Sequence, residues 1–222
     1  MEYFDDKNSD TSINLEYQDK RYVYKIIKRI FDFIASLFGL IILSPLFLIV
    51  AVAIKIEDPK GPVFYSQVRL GKKQETFKMY KFRSMVVDAD KRLKSLLPKN
   101  EIEGAMFKMK DDPRVTKVGQ FIRKYSIDEL PQLVNVLVGN MSLVGPRPPL
   151  PRELVDYTEY DKQRLAVKPG CTGLWQVSGR NDVSFHEMVE LDLKYINNRS
   201  AFFDLYVLLK TVVVFIKPNG AY

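Results

Sequence analysis

The sequence predicts an α+β fold: a small membrane-associated domain with a re-entrant N-terminal membrane helix, amphipathic helices and a small β-hairpin. Three observations carry that expectation. Between Asp32 and Lys55 runs "FIASLFGLIILSPLFLIVAVAI", 22 residues without a charge. From Gly61, "GPVFYSQVRLGKKQETFKMYKFRSM" sets alternating β-prone stretches about Gly71. Further on, "DADKRLKSLL" and "FIRKYSIDELPQLVNVL" read as helices with one apolar face. A chain of 222 residues holds one sizeable domain with an extra element and is too short for two ordinary ones. The expected division is a mobile polar tail over 1–20, the membrane helix over 21–57 and a globular domain over 58–222.

The apolar run is of membrane grade in length and hydrophobicity. It begins too far from the N-terminus, and is too long, for a signal peptide. A buried core helix is the competing reading, and a domain this small rarely hides a helix that is apolar all round. As a straight helix the run would reach about 33 Å, enough to cross a hydrocarbon core of about 30 Å. Ser44-Pro45 sits at its middle, however, where proline removes a backbone donor and crowds the carbonyl of Ile41. A bend there would leave arms of about 15 to 18 Å, neither of which crosses alone. The Ser44 hydroxyl can satisfy the freed carbonyl. Basic residues on both flanks favour a helix that dips in and returns over one that spans, because the positive-inside rule keeps such clusters on the cytoplasmic side. Spanning stays as the alternative.

Charge narrows the partners. The formal net charge is +7, but the first 20 residues hold six acids against two bases, so the remainder carries +11. Such a surplus suits a polyanion, an anionic bilayer or phosphorylated small molecules. No nucleic-acid reading module is visible. One cysteine, Cys171, excludes an internal disulfide framework and a multi-cysteine zinc site; one histidine, His186, argues against a His-based metal centre. No GxxxxGK[ST] loop occurs. "NMSLVGPRPPLPREL" and "KPGCTGLWQVSGRND" read as a proline-rich and a glycine-rich loop, with Trp175 lining a site or packing in the core. The final "FFDLYVLLKTVVVFIK" is interrupted by Lys210 and reads as an interfacial or packed helix.

In "KYSIDELPQL" two carboxylates, Asp128 and Glu129, stand side by side in a basic chain. Ser126 and Glu129 have the spacing of a capping box, which would place both acids in a first helical turn; Pro131 points to a start one step later. Capping is one reading of the pair. The other rests on basic company: Arg123 just upstream, Lys81 and Arg83 in "KFRSM", and Arg147 in "GPRPP". Arginines donate to phosphate oxygens, and paired carboxylates can hold Mg²⁺ against a diphosphate.

"KRIFD", Ser44-Pro45, "GPVFYSQVRLG", "KFRSM", "RKYSIDELPQLVNVLVGNMSLVGPRPP" and "KPGCTGLWQVSGRND" resemble, in order, the bacterial sugar transferases, the monotopic polyprenyl-phosphate hexose-1-phosphate transferases. The resemblance runs from about Lys28 to Tyr222 and matches the short form. It implies a cytoplasmic catalytic domain on the inner membrane of a bacterial cell, which moves hexose-1-phosphate from a UDP-hexose, galactose or glucose favoured, to undecaprenyl phosphate. Asp128 would be the nucleophile, releasing UMP, and Glu129 would help hold Mg²⁺. Arg123, Arg147, Lys81, Arg83 and Arg180 would contact phosphate or nucleotide-sugar. A homo-oligomer stays open. The rival is a non-enzymatic membrane-anchored module for anionic lipid or glycan.

Overall fold

The computed structural model describes residues 13–99, 109, 111–178 and 183–216. A short helix α1, Leu15–Lys20, is capped by Asn14, whose Oδ1 accepts from the Tyr17 N–H at 2.9 Å. Its residues fall within the stretch expected as a polar tail. Gln18 is buried and accepts from Arg199 Nε at 3.0 Å, and the Ile13 N–H donates to Gln163 Oε1 at 2.7 Å. The rest of the expected tail, residues 1–12, lies outside the described residues.

Helix α2 runs from Tyr22 to Glu57, 36 residues, without interruption at Pro45. The helix continues across the expected break, and the carbonyl of Ile41 accepts from Ser44 Oγ at 2.7 Å. By length and composition it can cross a membrane. Yet it touches the rest of the fold along its whole length. Near its start, Arg29 donates to the carbonyls of Val136 and Leu137 at 2.6 and 2.8 Å, and Asp32 accepts from the Leu143 N–H at 3.0 Å. Midway, Gly39 lets Leu133 approach; a Cβ there would meet Leu133 Cδ1 at 3.2 Å. Near its end, Val50 and Ile54 are buried with Phe82 and Ile122. The opposite side is apolar and exposed, including Ile26, Ile30, Ile34, Ile41, Ile49 and Ile56.

Strands β1, Phe64–Leu70, and β2, Thr76–Phe82, form the expected antiparallel hairpin, with Tyr65 opposite Lys81. Helices α3, Ala89–Leu96, and α4, Lys117–Lys124, follow. The α4 N-terminus is tied to α2: Glu57 accepts from the N–H groups of Lys117 and Val118 at 2.7 and 3.1 Å, where an anion is favoured. The stretch read as one helix from Phe121 to Leu137 is instead two. A turn separates α4 from α5, Gln132–Val138.

Both segments expected to be loops contain regular structure. Strand β3, Ser142–Val144, pairs in parallel with β4, Gly170–Thr172, on either side of the short helix α6, Glu159–Lys162. The pairing brings backbones so close that a Cβ on Gly170 would fall 2.1 Å from the Gly145 nitrogen, which accounts for glycine in both segments. Helix α7, Leu174–Ser178, carries the buried Trp175. Helices α8, Phe185–Asn198, and α9, Ala201–Ile216, complete the core around Val144, Val189, Leu193, Ile196 and Val207. On α9, Asp204 and Val207 face inward while Phe202, Leu205, Leu209 and Val213 are exposed, so this helix is packed and keeps an apolar outer face. His186 is a surface side chain.

Candidate active site

The turn between α4 and α5 exists because the chain reverses its backbone preference there. Ser126 adopts a left-handed conformation, φ +52°, and Ile127–Glu129 close a single 3-10 turn before Pro131 opens α5. The expected capping box does not form: Ser126 makes no side-chain capping bond, and it is its carbonyl that accepts from the Glu129 N–H at 3.2 Å. Ile127 packs toward Phe82 and Ile122. Asp128 is itself buried, with 7% of its surface exposed.

Asn135 sets this turn against the hairpin. It is fully buried; its Oδ1 accepts from the Tyr80 N–H at 2.9 Å and its Nδ2 donates to the Lys78 carbonyl at 2.7 Å. One side chain thus completes the free edge of β2 as a neighbouring strand would, satisfying two backbone groups whose loss would cost about 1 to 3 kcal/mol each. Lys81, one residue further along β2, then reaches the turn and donates to Glu129 Oε1 at 2.6 Å.

The electrostatics of the two acids diverge. Burial pushes the Asp128 carboxyl up to about 6, assisted by the neighbouring Glu129 and opposed by Lys81 and Arg123. Burial acts upward on Glu129 too, but Lys81, Arg147 and Arg69 outweigh it and hold that carboxyl below the usual range. The site therefore pairs a glutamate whose ionised form is favoured with an aspartate whose carboxyl is raised to about 6.

Four cations surround the pair. Arg123, at the end of α4, has a buried Nη1 with no hydrogen-bond partner. Arg147 lies in the loop after β3, half-buried and close enough to act on Glu129. Lys81 bridges to Glu129. The fourth, Arg69, was not singled out from the sequence. It is 5% exposed, donates to the Pro148 carbonyl at 3.0 Å and to Gln67 Oε1 at 2.8 Å, and keeps an unpartnered Nε. Burial and Arg147 together lower its guanidinium to about 10. An arginine on the inward side of an apolar strand was the available signal.

Arg83 is not among them. Its guanidinium pairs with Asp58 and donates from Nε to the Pro62 carbonyl at 2.6 Å, so it locks the connection between α2 and β1. Arg180 lies outside the described residues. Ser44 and Pro45 stand on α2, apart from the pair. Cys171 offers no rival nucleophile, since burial, then Glu129 and Asp32, push its thiol far up. Among the described residues no cluster of three or more acidic, His or Cys ligands occurs. Two adjacent carboxylates beside arginine donors suit Mg²⁺, which commonly takes one or two carboxylates and fills its sphere with substrate phosphates and water.

Residues 23–218 match the bacterial sugar transferase family model. The chain is 48% identical over 204 residues to a galactosyl transferase, CpsE, of Streptococcus agalactiae, covering 90% of this chain and 44% of that protein. It is 46% identical over 202 residues to an undecaprenyl-phosphate galactose phosphotransferase of Salmonella typhimurium, covering 89% and 42%. It is 44% identical to the exopolysaccharide production protein ExoY of Sinorhizobium fredii, covering 89% and 88%. The chain thus spans less than half the length of the first two relatives and nearly all of the third. The chain belongs to the bacterial sugar transferase family.

Proposed function

We propose that the protein transfers hexose-1-phosphate from a UDP-hexose, UDP-galactose first among the candidates, to undecaprenyl phosphate, in the assembly of capsule, exopolysaccharide or lipopolysaccharide. The carrying observation is the buried Asp128 carboxyl beside the Lys81–Glu129 pair, ringed by arginines with unpartnered nitrogens.

Asp128, ionised above about pH 6, attacks the phosphorus that bears the sugar. The bond from that phosphorus to the bridging oxygen breaks, UMP leaves, and an aspartyl phospho-sugar remains. An oxygen of the lipid phosphate then attacks the same phosphorus, and the acyl-phosphate bond breaks to restore the Asp128 carboxylate. Two steps suit one soluble and one embedded substrate, which meet the nucleophile in turn. Arg123, Arg69 and Arg147 supply fixed donors for phosphate oxygens, and Lys81 holds Glu129 in place. Glu129, with Asp128 before attack, would hold Mg²⁺, which when bound neutralises charge on the diphosphate.

The test is wild-type protein given UDP-galactose without lipid. It should release up to one equivalent of UMP and take up label from the sugar, and adding undecaprenyl phosphate should discharge the label. Asp128→Asn, isosteric with the aspartate, should lose at least about a thousandfold in turnover, roughly 4 kcal/mol of barrier. Rapid turnover by that variant would overturn the mechanism, and absence of UMP from every UDP-hexose would favour a binding module.

The same reading places α2 as a helix that enters and leaves one face of the inner membrane, with the catalytic domain cytoplasmic. Supporting it is the contact of both arms with one body, Arg29 and Asp32 at one end and Val50 and Ile54 at the other. Cysteines introduced at residue 10 and at Lys91 should both resist a membrane-impermeant thiol reagent in intact cells. Labelling at residue 10 alone would mean that α2 spans.

A further inference from the structure

A cavity of about 500 Å³ opens between α1, the N-terminal arm of α2, the hairpin turn at Lys72–Gln74 and the segment leading to Lys168. Its volume is that of a small-molecule site. Asp128, Glu129, Lys81, Arg69, Arg123 and Arg147 are all absent from its wall, so it is distinct from the acidic turn.

The wall carries eight Lys or Arg residues against Asp32 and Glu159. Lys28 and Lys162 are paired with Asp204 and Glu159. Arg29 is not: its bonds go to the neutral carbonyls of Val136 and Leu137. Neither Lys73 nor Lys168 has a carboxylate in salt-bridge reach among the described residues. Two of these cations meet at the C-terminal end of α5, beside the cavity wall, since a Cβ on Gly139 would lie 3.3 Å from Arg29 Nη2 and 3.6 Å from Lys168 Nζ. Crowding is expressed in Lys168, whose amine is pushed down by burial and then by Arg29 and Lys72, with Asp32 opposing.

Two further features belong to the wall. Ser142, 1% exposed and part of the wall, has a buried hydroxyl without a hydrogen-bond partner. Lys73 and Gln74 both hold left-handed backbone, φ +56° and +65°, a conformation that non-glycine residues adopt at a cost and that recurs where a loop clamps a ligand. Converging cations, an orphaned hydroxyl and a strained basic turn share one missing element, an anion with several acceptor oxygens.

We propose that this cavity binds a phosphate group of at least two negative charges, carried by a lipid headgroup or a soluble phosphorylated molecule, through Lys168, Arg29, Lys73 and the Ser142 hydroxyl. The arm of α2 that lines it has exposed Ile26, Ile27 and Ile30 on its other side. Occupancy would therefore be sensed directly by the membrane helix.

Calorimetric titration of the full chain in uncharged detergent tests this, with pyrophosphate as one probe and short-chain phosphatidic acid as the other. An Asp128→Asn/Arg147→Ala background separates the outcome from that of the catalytic reading. In that background one class of site should persist for at least one probe, and which probe binds identifies the source. Lys73→Glu/Lys168→Glu should weaken it at least tenfold, and Ser142→Ala, which leaves charge unaltered, severalfold. A charge-matched control, Lys91→Glu/Lys94→Glu on α3, should leave it unchanged. Equal affinity in the cavity variant and the control, or no binding of either probe in the background, would overturn the proposal.

Discussion

Asp128 and Asp192 look alike by one measure and differ by every other. Burial pushes both carboxyls up to about 6. Asp192, on α8, is fully enclosed and paired with Arg164, which also donates to the Tyr157 hydroxyl at 2.9 Å. Burial works against the Arg164 charge, but Asp192 and Tyr157 outweigh it, so the arginine stays protonated. Arg164 further reaches the Arg147 carbonyl at 3.4 Å, which ties the buried pair to the loop of the site. Asp128, in contrast, sits in a one-turn link beside a half-exposed glutamate, with cations near it and unpartnered donors among them. A raised carboxyl alone therefore does not mark a catalytic residue. What separates the two is pairing: Asp192 is closed into an ion pair with one arginine, even though Arg164 Nε and Asp192 Oδ1 lack further partners, whereas Asp128 makes no salt bridge among the described residues and lies near Lys81 and Arg123.

Removing each acid should sharpen that contrast. Asp192→Ala strands the Arg164 charge in the interior and should cost about 3 to 5 kcal/mol in chemical denaturation. A loss under 1 kcal/mol would make the pair dispensable and the contrast empty.

Asp128→Asn should act with the opposite sign. A carboxyl raised above its unfolded value stabilises the fold fully below about pH 4, and that contribution is lost as pH rises through about 6. At pH 8 the wild type therefore carries the cost of a buried anion, and Asp128→Asn should be more stable there by about 1 to 2 kcal/mol. The wild-type decline in stability between pH 4 and 6 should shrink in the variant. Equal pH profiles would show that Asp128 is solvated like an ordinary surface acid.

The smallest expected effect concerns Lys81. It lowers the Asp128 carboxyl and anchors Glu129, so Lys81→Met should move the acid limb of turnover upward from about pH 6 by at least about half a unit. On the proposed mechanism, wild-type turnover should fall below that limb because a protonated carboxyl cannot attack. A limb that stays in place would remove Lys81 from the electrostatics of the pair.

Much of this was legible in the chain. Hydrophobic run length marked α2, and β-prone stretches on either side of Gly71 marked the hairpin, because both signals are local. Asp128, Glu129, Arg123, Arg147 and Lys81 stood out as opposed charges in a short span or in turn-rich loops, and the fold brings them together. The capping box failed because a left-handed Ser126 is a choice made by the packing of Ile127 and α5, which spacing alone does not encode. Arg83 carries the same charge as Lys81 two residues away, yet one meets Asp58 and the other Glu129; that outcome depends on which elements dock near each. Arg69 and Asn135 were passed over because their roles consist of long-range bonds, to Pro148 and to the edge of β2. The sequence by itself determined where the chain is apolar, where it must turn and which charges are available, since those follow from composition and period. Only the tertiary structure decided which charges are neutralised and which keep unpartnered nitrogens, since pairing energy falls off within a few ångströms and the partners lie tens of residues apart.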